Sequence, residues 1–173
     1  LTPLTAAIET ARPDCAEVPR AIAAGWVALD EALPDAARLA RSIAAEPWLL
    51  VDALDATPQT FVHGDWKLGN LGSRPDGRTI LLDWQWPGTG PACVDPAWYL
   101  AVNCDRLPES KEDAIERYRQ ALQDRGIDTS GWFDRQLSLC LLGGFVQLGW
   151  NKTHDEAELH WWADRAIAAA ATL

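Results

Sequence analysis

One local instruction constrains this chain more than any other: Arg74-Pro75-Asp76-Gly77, set between the short runs Leu68 to Ser73 and Arg78 to Asp83. Proline presets φ and glycine accepts positive φ, so the segment predicts a tight turn joining two antiparallel strands. With the turn centred near Asp76, the register sets Asn70 opposite Leu82 or Asp83. Directly opposed residues have Cβ atoms about 5 Å apart. An amide oxygen and a carboxylate at that separation can share one hard, oxygen-seeking cation such as Mg2+. Asp65, on the loop His63-Gly64-Asp65 just before the hairpin, is then left to handle a proton.

Outside the hairpin the apolar spacing is helical. Ala21 to Leu33 carries Ile22, Trp26, Leu29 and Leu33 on one face, and Pro34 opens a second helix through Glu46 with Ala37, Leu39 and Ile43. Pro47 begins a third through Leu49, Leu50 and Leu54. Four more are expected: Asp95 to Asn103, an amphipathic one over Pro108 to Asp124 ended by Gly126, one over about Trp132 to Trp150, and one over about His154 to Ala171. The apolar stretch Leu137 to Leu142 predicts burial. The Asp95-Pro96 pair suits a helix start, where the carboxylate accepts orphan N–H groups and proline fits the first helical position. The fold class that follows is α+β, mostly helical, around one small hairpin, in a single domain over 1–173.

Composition narrows the function. With 173 residues and 48% hydrophobic content the chain can bury a sizeable core. It has no apolar run of the ~18 to 20 residues that a membrane span needs and no opening signal peptide, so a cytoplasmic setting without a membrane partner is expected. Cys15, Cys93, Cys104 and Cys140 show no metal or redox spacing and read as small buried residues. A net charge of −10 argues against nucleic acid and suits a cationic small molecule. Ten tryptophans are many for this length, and most are expected to fill the core. Trp84 and Trp86, beside the loop, can instead offer their faces to a cation or a ring.

The loop His63-Gly64-Asp65-Trp66-Lys67-Leu68-Gly69-Asn70, with Asp83 after the apolar run Ile80 to Leu82, resembles the catalytic segment of the aminoglycoside phosphotransferase and choline kinase families, and more distantly that of protein kinases. Gly88-Thr89-Gly90-Pro91-Ala92-Cys93-Val94-Asp95-Pro96-Ala97 is similar to a second segment of those phosphotransferases. The resemblance covers roughly Thr60 to Leu100. It implies the large C-terminal lobe of a protein-kinase-like phosphotransferase. Asp65 would be the catalytic base, Lys67 a neutraliser of phosphoryl charge, His63 a support for the loop, and Asn70 and Asp83 the ligands of Mg2+ on ATP or GTP. Asp95 would support the loop. In such enzymes C-terminal helices build the acceptor pocket, which makes Asp155, Glu158 and Trp161 candidate acceptor contacts beside Trp84 and Trp86.

A kinase also needs a small lobe with a glycine-rich loop and a lysine for the nucleotide, and the residues before His63 contain neither. The absence of methionine points the same way, so the chain is expected to be the catalytic part of a longer protein. Two other functions fit parts of the sequence. One is a catalytically inactive, kinase-like binding or regulatory module. The other is a metal-dependent hydrolase using His63 and Asp65, which suffers because His154 and His160, six apart, do not share a helical face.

Overall fold

A computed structural model describes residues 17–173. Most of the polar Thr10 to Pro19 segment, and Cys15, lie outside the described residues. Within them the elements run α1 (Glu17–Ala32), α2 (Pro34–Ala45), α3 (Trp48–Asp55), β1 (Gln59–Val62), β2 (Leu71–Ser73), β3 (Thr79–Leu81), β4 (Gly88–Pro91), α4 (Val94–Val102), α5 (Lys111–Gln123), α6 (Phe133–Leu148) and α7 (Glu156–Ala170). Single 3-10 turns occupy Leu68–Asn70, Cys104–Arg106 and Gly149–Asn151. The chain is mostly helical with two small antiparallel sheets, an α+β composition.

The residues group into two compact units. The first takes in the described residues up to Ala53 and Leu141–Leu173. Its centre is helical: Ile22, Trp26 and Leu29 of α1 are buried, α2 contributes only the alanines Ala36, Ala37 and Ala40, and α7 contributes Leu159, Trp162, Ala163, Ala166 and Ala169. Alanine faces let helices approach closely, and α1 packs against both α2 and the 149–151 turn. A side chain at Gly25 would lie 2.4 Å from the Trp150 carbonyl oxygen, so this crossing requires glycine.

The second unit is Leu54–Cys140 and holds both sheets. The predicted hairpin forms as β2 and β3, with Leu71 opposite Leu81 and Ser73 opposite Thr79. Its ladder is shorter than expected, because residues 68–70 coil into a 3-10 turn before β2 begins. β1 pairs antiparallel with β4, Thr60 opposite Gly90. The sequence carries little sign of β4, since Gly-Thr-Gly-Pro lacks strand-forming side chains; the β1 partner supplies the backbone hydrogen bonds that define it.

Helix ends shift by a few residues from expectation, each for a local reason. α5 begins at Lys111 and not at Pro108, because the Ser110 hydroxyl accepts the Asp113 N–H at 3.0 Å. α7 begins at Glu156, capped by the Asp155 carboxylate on the Glu158 N–H at 2.9 Å. Burial of Leu137 to Leu142 follows the expectation for every residue but the half-buried Ser138. Among the described cysteines Cys93 and Cys140 are buried and free, and desolvation pushes both thiols up, Cys93 to about 12. No helix among the described residues is long and apolar enough to cross a membrane.

Candidate active site

β1 ends at Val62 and delivers His63, Gly64 and Asp65 to the surface of the second unit. The turn depends on Gly64, whose φ is +80° and whose Cβ position would fall 2.2 Å from the Trp86 carbonyl oxygen. The Asp95 carboxylate, buried on α4, accepts the backbone N–H of His63 at 2.7 Å and of Gly64 at 2.9 Å. Asp95 thus supports the loop, as the resemblance implied, and the helix-capping role that its Asp-Pro pattern suggested is corrected. α4 already starts at Val94, Pro96 is its third residue, and the carboxylate reaches across to the loop.

His63 is buried and both its ring nitrogens are engaged. Nε2 lies 2.9 Å from the Leu82 carbonyl oxygen, and Nδ1 accepts the Asp65 N–H at 3.2 Å. A carbonyl can only accept and an amide N–H can only donate, so the ring is the neutral tautomer with its proton on Nε2. It ties the loop to the hairpin strand and leaves no nitrogen for a metal, which removes the hydrolase reading.

Asp65 is the focus of the loop. One carboxylate oxygen receives Lys67 Nζ at 2.5 Å and Asn70 Nδ2 at 3.0 Å, and the other receives Trp98 Nε1 at 2.9 Å. Desolvation pushes the carboxyl group up, but the Lys67, Trp98 and Asn70 donors together outweigh it and hold the group below its usual range. Asp65 is thus a fixed, ionised acceptor at neutral pH. Lys67 forms an ion pair with it.

Asn70 is buried at the end of the 3-10 turn. Its NH2 group also donates to the Asp65 carbonyl oxygen at 2.9 Å, so its side-chain oxygen is the atom left for a cation. The Leu82 N–H donates to the Asn70 carbonyl at 2.8 Å, continuing the hairpin register by one pair. Of the two partners the sequence allowed, Leu82 stands opposite Asn70 and Asp83 follows it. Asp83 is exposed, with φ +61°, the only positive φ at a non-glycine among the described residues. An amide oxygen and an ionisable carboxylate make a hard donor pair that suits Mg2+ chemically.

The two neighbouring tryptophans are not core residues. Trp86 is 71% exposed and Trp84 46% exposed. Trp84 packs on His63 with ring centroids 4.4 Å apart and on Phe61 at 5.9 Å, while its indole N–H donates to the Leu81 carbonyl. Asp155, Glu158 and Trp161 belong to the first unit and have local partners: Asp155 caps α7, Glu158 accepts the Trp162 indole N–H at 2.7 Å, and Trp161 stacks under Arg165.

Two residues of the site escape a reading by motif. Trp98 holds Asp65, and Asn103 accepts the Leu68 N–H at 3.2 Å while donating to the Tyr99 carbonyl. Both share a signal with Asp95. Trp98 lies three residues after Asp95 on α4, so the two share a helical face, and Asn103 caps the end of the same helix.

The comparisons with known proteins agree with this architecture at one level. A model of the phosphotransferase enzyme family matches residues 3–132, which take in the loop, the hairpin, α4 and α5. No curated protein and no solved structure matches the chain.

Proposed function

Since the chain belongs to the phosphotransferase enzyme family, we propose that it transfers the γ-phosphoryl group of ATP or GTP to a hydroxyl of a small molecule. The observation that carries this reading is the Asp65 carboxylate, ionised and fixed by donors from three side chains. A hydroxyl seated on it is oriented by a hydrogen bond to oxygen. As the new O–P bond forms and the bond from γ-phosphorus to its bridging oxygen breaks, the electron pair leaves on the nucleoside diphosphate and the hydroxyl proton passes to Asp65.

A carboxylate held below its usual range is a weak base. Asp65 therefore orients the nucleophile early and takes the proton late, when bond formation has made the hydroxyl acidic. Lys67 offsets negative charge on the incoming phosphoryl group, which favours a transition state more than a ground state. Asn70 and Asp83 would hold Mg2+, which supplies charge neutralisation at the nucleotide phosphates when bound. Gly64, His63 and Asp95 act one step back by fixing the direction of the loop.

The test is nucleoside diphosphate formation by the full-length protein against a panel of hydroxylated acceptors, with and without Mg2+. Acceptor-dependent, Mg2+-dependent turnover that Asp65→Ala lowers by about 1,000-fold or more is the expected result. Wild-type turnover by that variant would sink the base assignment. No consumption with any acceptor would favour the binding-module alternative.

A further inference from the structure

α5 is amphipathic, yet none of its residues is fully buried. Its apolar positions Ala114, Ile115, Tyr118 and Ala121 are half-covered and form one wall of a cavity of about 300 Å³ in the second unit. Pro96, Tyr99 and Leu100 of α4 also line it, together with Trp66 and Leu71. The volume sits at the lower bound of small-ligand sites, which are typically about 300–1,000 Å³.

Two of the lining residues neighbour the proposed reacting group in sequence: Trp66 follows Asp65 directly in the loop, and Tyr99 follows Trp98, which holds the Asp65 carboxylate. The cavity's polar content is small, and three of its polar side chains have partners. Tyr118 is committed through its hydroxyl to the Ala92 carbonyl at 2.7 Å, so it offers the cavity its ring. Glu109 and Arg117 form an ion pair with each other. A polycation entering here would meet a single carboxylate, and that one is neutralised.

We propose that this cavity, in the phosphotransferase reading above on which the inference rests, seats the apolar body of the acceptor, so that the substrate is an alcohol carrying an aromatic or alkyl group and not a polycationic one. The alcohol oxygen reaches Asp65 past Trp66 while the ring or chain lies between α4 and α5. Selectivity comes from burying apolar area, at about 25 cal/mol per Å². The acidic surface of the chain then serves some purpose other than acceptor choice.

Two measurements on the full-length protein test this. The first titrates 3-phenylpropan-1-ol into 15N-labelled protein and follows the Trp66 indole N–H, assigned by its loss in Trp66→Phe. The second compares phosphoryl transfer to that alcohol and to a polyamino sugar, in wild type and in the cavity-filling variants Ala114→Phe and Ala121→Leu. The expected result is a saturable Trp66 shift, and a KM for the aromatic alcohol that is at least tenfold below that for the polyamino sugar and rises at least tenfold in a folded filling variant. Transfer confined to the polyamino sugar, with no Trp66 shift, overturns the cavity assignment and leaves phosphotransfer standing. A saturable shift without transfer to any acceptor overturns the phosphotransferase reading, and the acceptor role with it. No shift and no transfer overturns both.

Discussion

The loop from His63 to Asn70 and the hairpin end from Leu82 to Trp86 sit side by side but are built on opposite terms. In the loop, His63 and Asn70 are buried, and His63, Gly64, Asp65, Lys67, Leu68 and Asn70 each make a hydrogen bond to a named partner. At the hairpin end all five residues are exposed, and Asp83 takes a left-handed backbone. The protein thus preorganises the group proposed to orient a hydroxyl, while Asp83, one of the two proposed cation ligands, faces solvent. Orientation of a proton acceptor tolerates little error, whereas a carboxylate ligand for a divalent ion has to remain accessible.

That contrast yields predictions that separate catalytic loss from structural loss. The largest combined effect is expected for Asp95→Ala, which leaves the His63 and Gly64 N–H groups without their acceptor. His63 is buried whereas Gly64 is exposed, so at about 1–3 kcal/mol for one unsatisfied buried group the variant should lose roughly 1–3 kcal/mol in a denaturant titration, and turnover with it. If its melting temperature matched wild type, the loop would not depend on α4 as argued. Asp83→Gly should do the opposite. Turnover should fall by about 100-fold or more as one electrostatic element is removed. Stability should barely change, because relief of about 1 kcal/mol of left-handed strain offsets the roughly 0.5–1 kcal/mol of added chain entropy. Thermal melting with and without Mg2+ checks this, and full activity would release Asp83 from its proposed role.

Gly64→Ala is expected to cost about 1–3 kcal/mol, since a methyl group must enter a positive-φ position blocked by the Trp86 carbonyl. The smallest effect should come from Trp98→Phe, which removes one of the donors that hold Asp65 down. Activity requires ionised Asp65, so the acid limb of the pH–rate profile should lie below the ordinary aspartate value of about 3.9 in wild type and move upward in the variant. The linked stability has the same sign. A lowered folded pKa contributes stability above the unfolded value, and that contribution disappears as pH falls through the folded one. An unmoved acid limb in Trp98→Phe would mean that Lys67 and Asn70 suffice.

Much of this was legible in the residues alone, and the misses have physical causes. The Arg74 to Gly77 turn and the helix periodicities are local, so they could be read from neighbours in sequence. Even there, the register left Leu82 and Asp83 both open as partners of Asn70, because a turn centre read from sequence carries an uncertainty of one residue. The capping role that local pattern suggested for Asp95 failed for a related reason, while the loop support implied by the resemblance held. Asp-Pro is the local pattern of a helix start, and what overrode it is a loop 32 positions upstream. Composition alone could not say which tryptophans fill the core: Trp26 and Trp162 do, whereas Trp84 and Trp86, set apart in the sequence as candidate contacts, lie outside it.

What the sequence determined by itself is the chemistry on offer: two carboxylates, an ammonium and an amide at fixed separations along one loop and hairpin. The tertiary structure alone decided how that chemistry is tuned. Trp98, Asn103 and Asp95 act on the loop across 31 to 35 positions, and β4 becomes a strand only against β1. Local propensity cannot report such contacts, because their energy arises only when distant segments are packed together and water is excluded from between them.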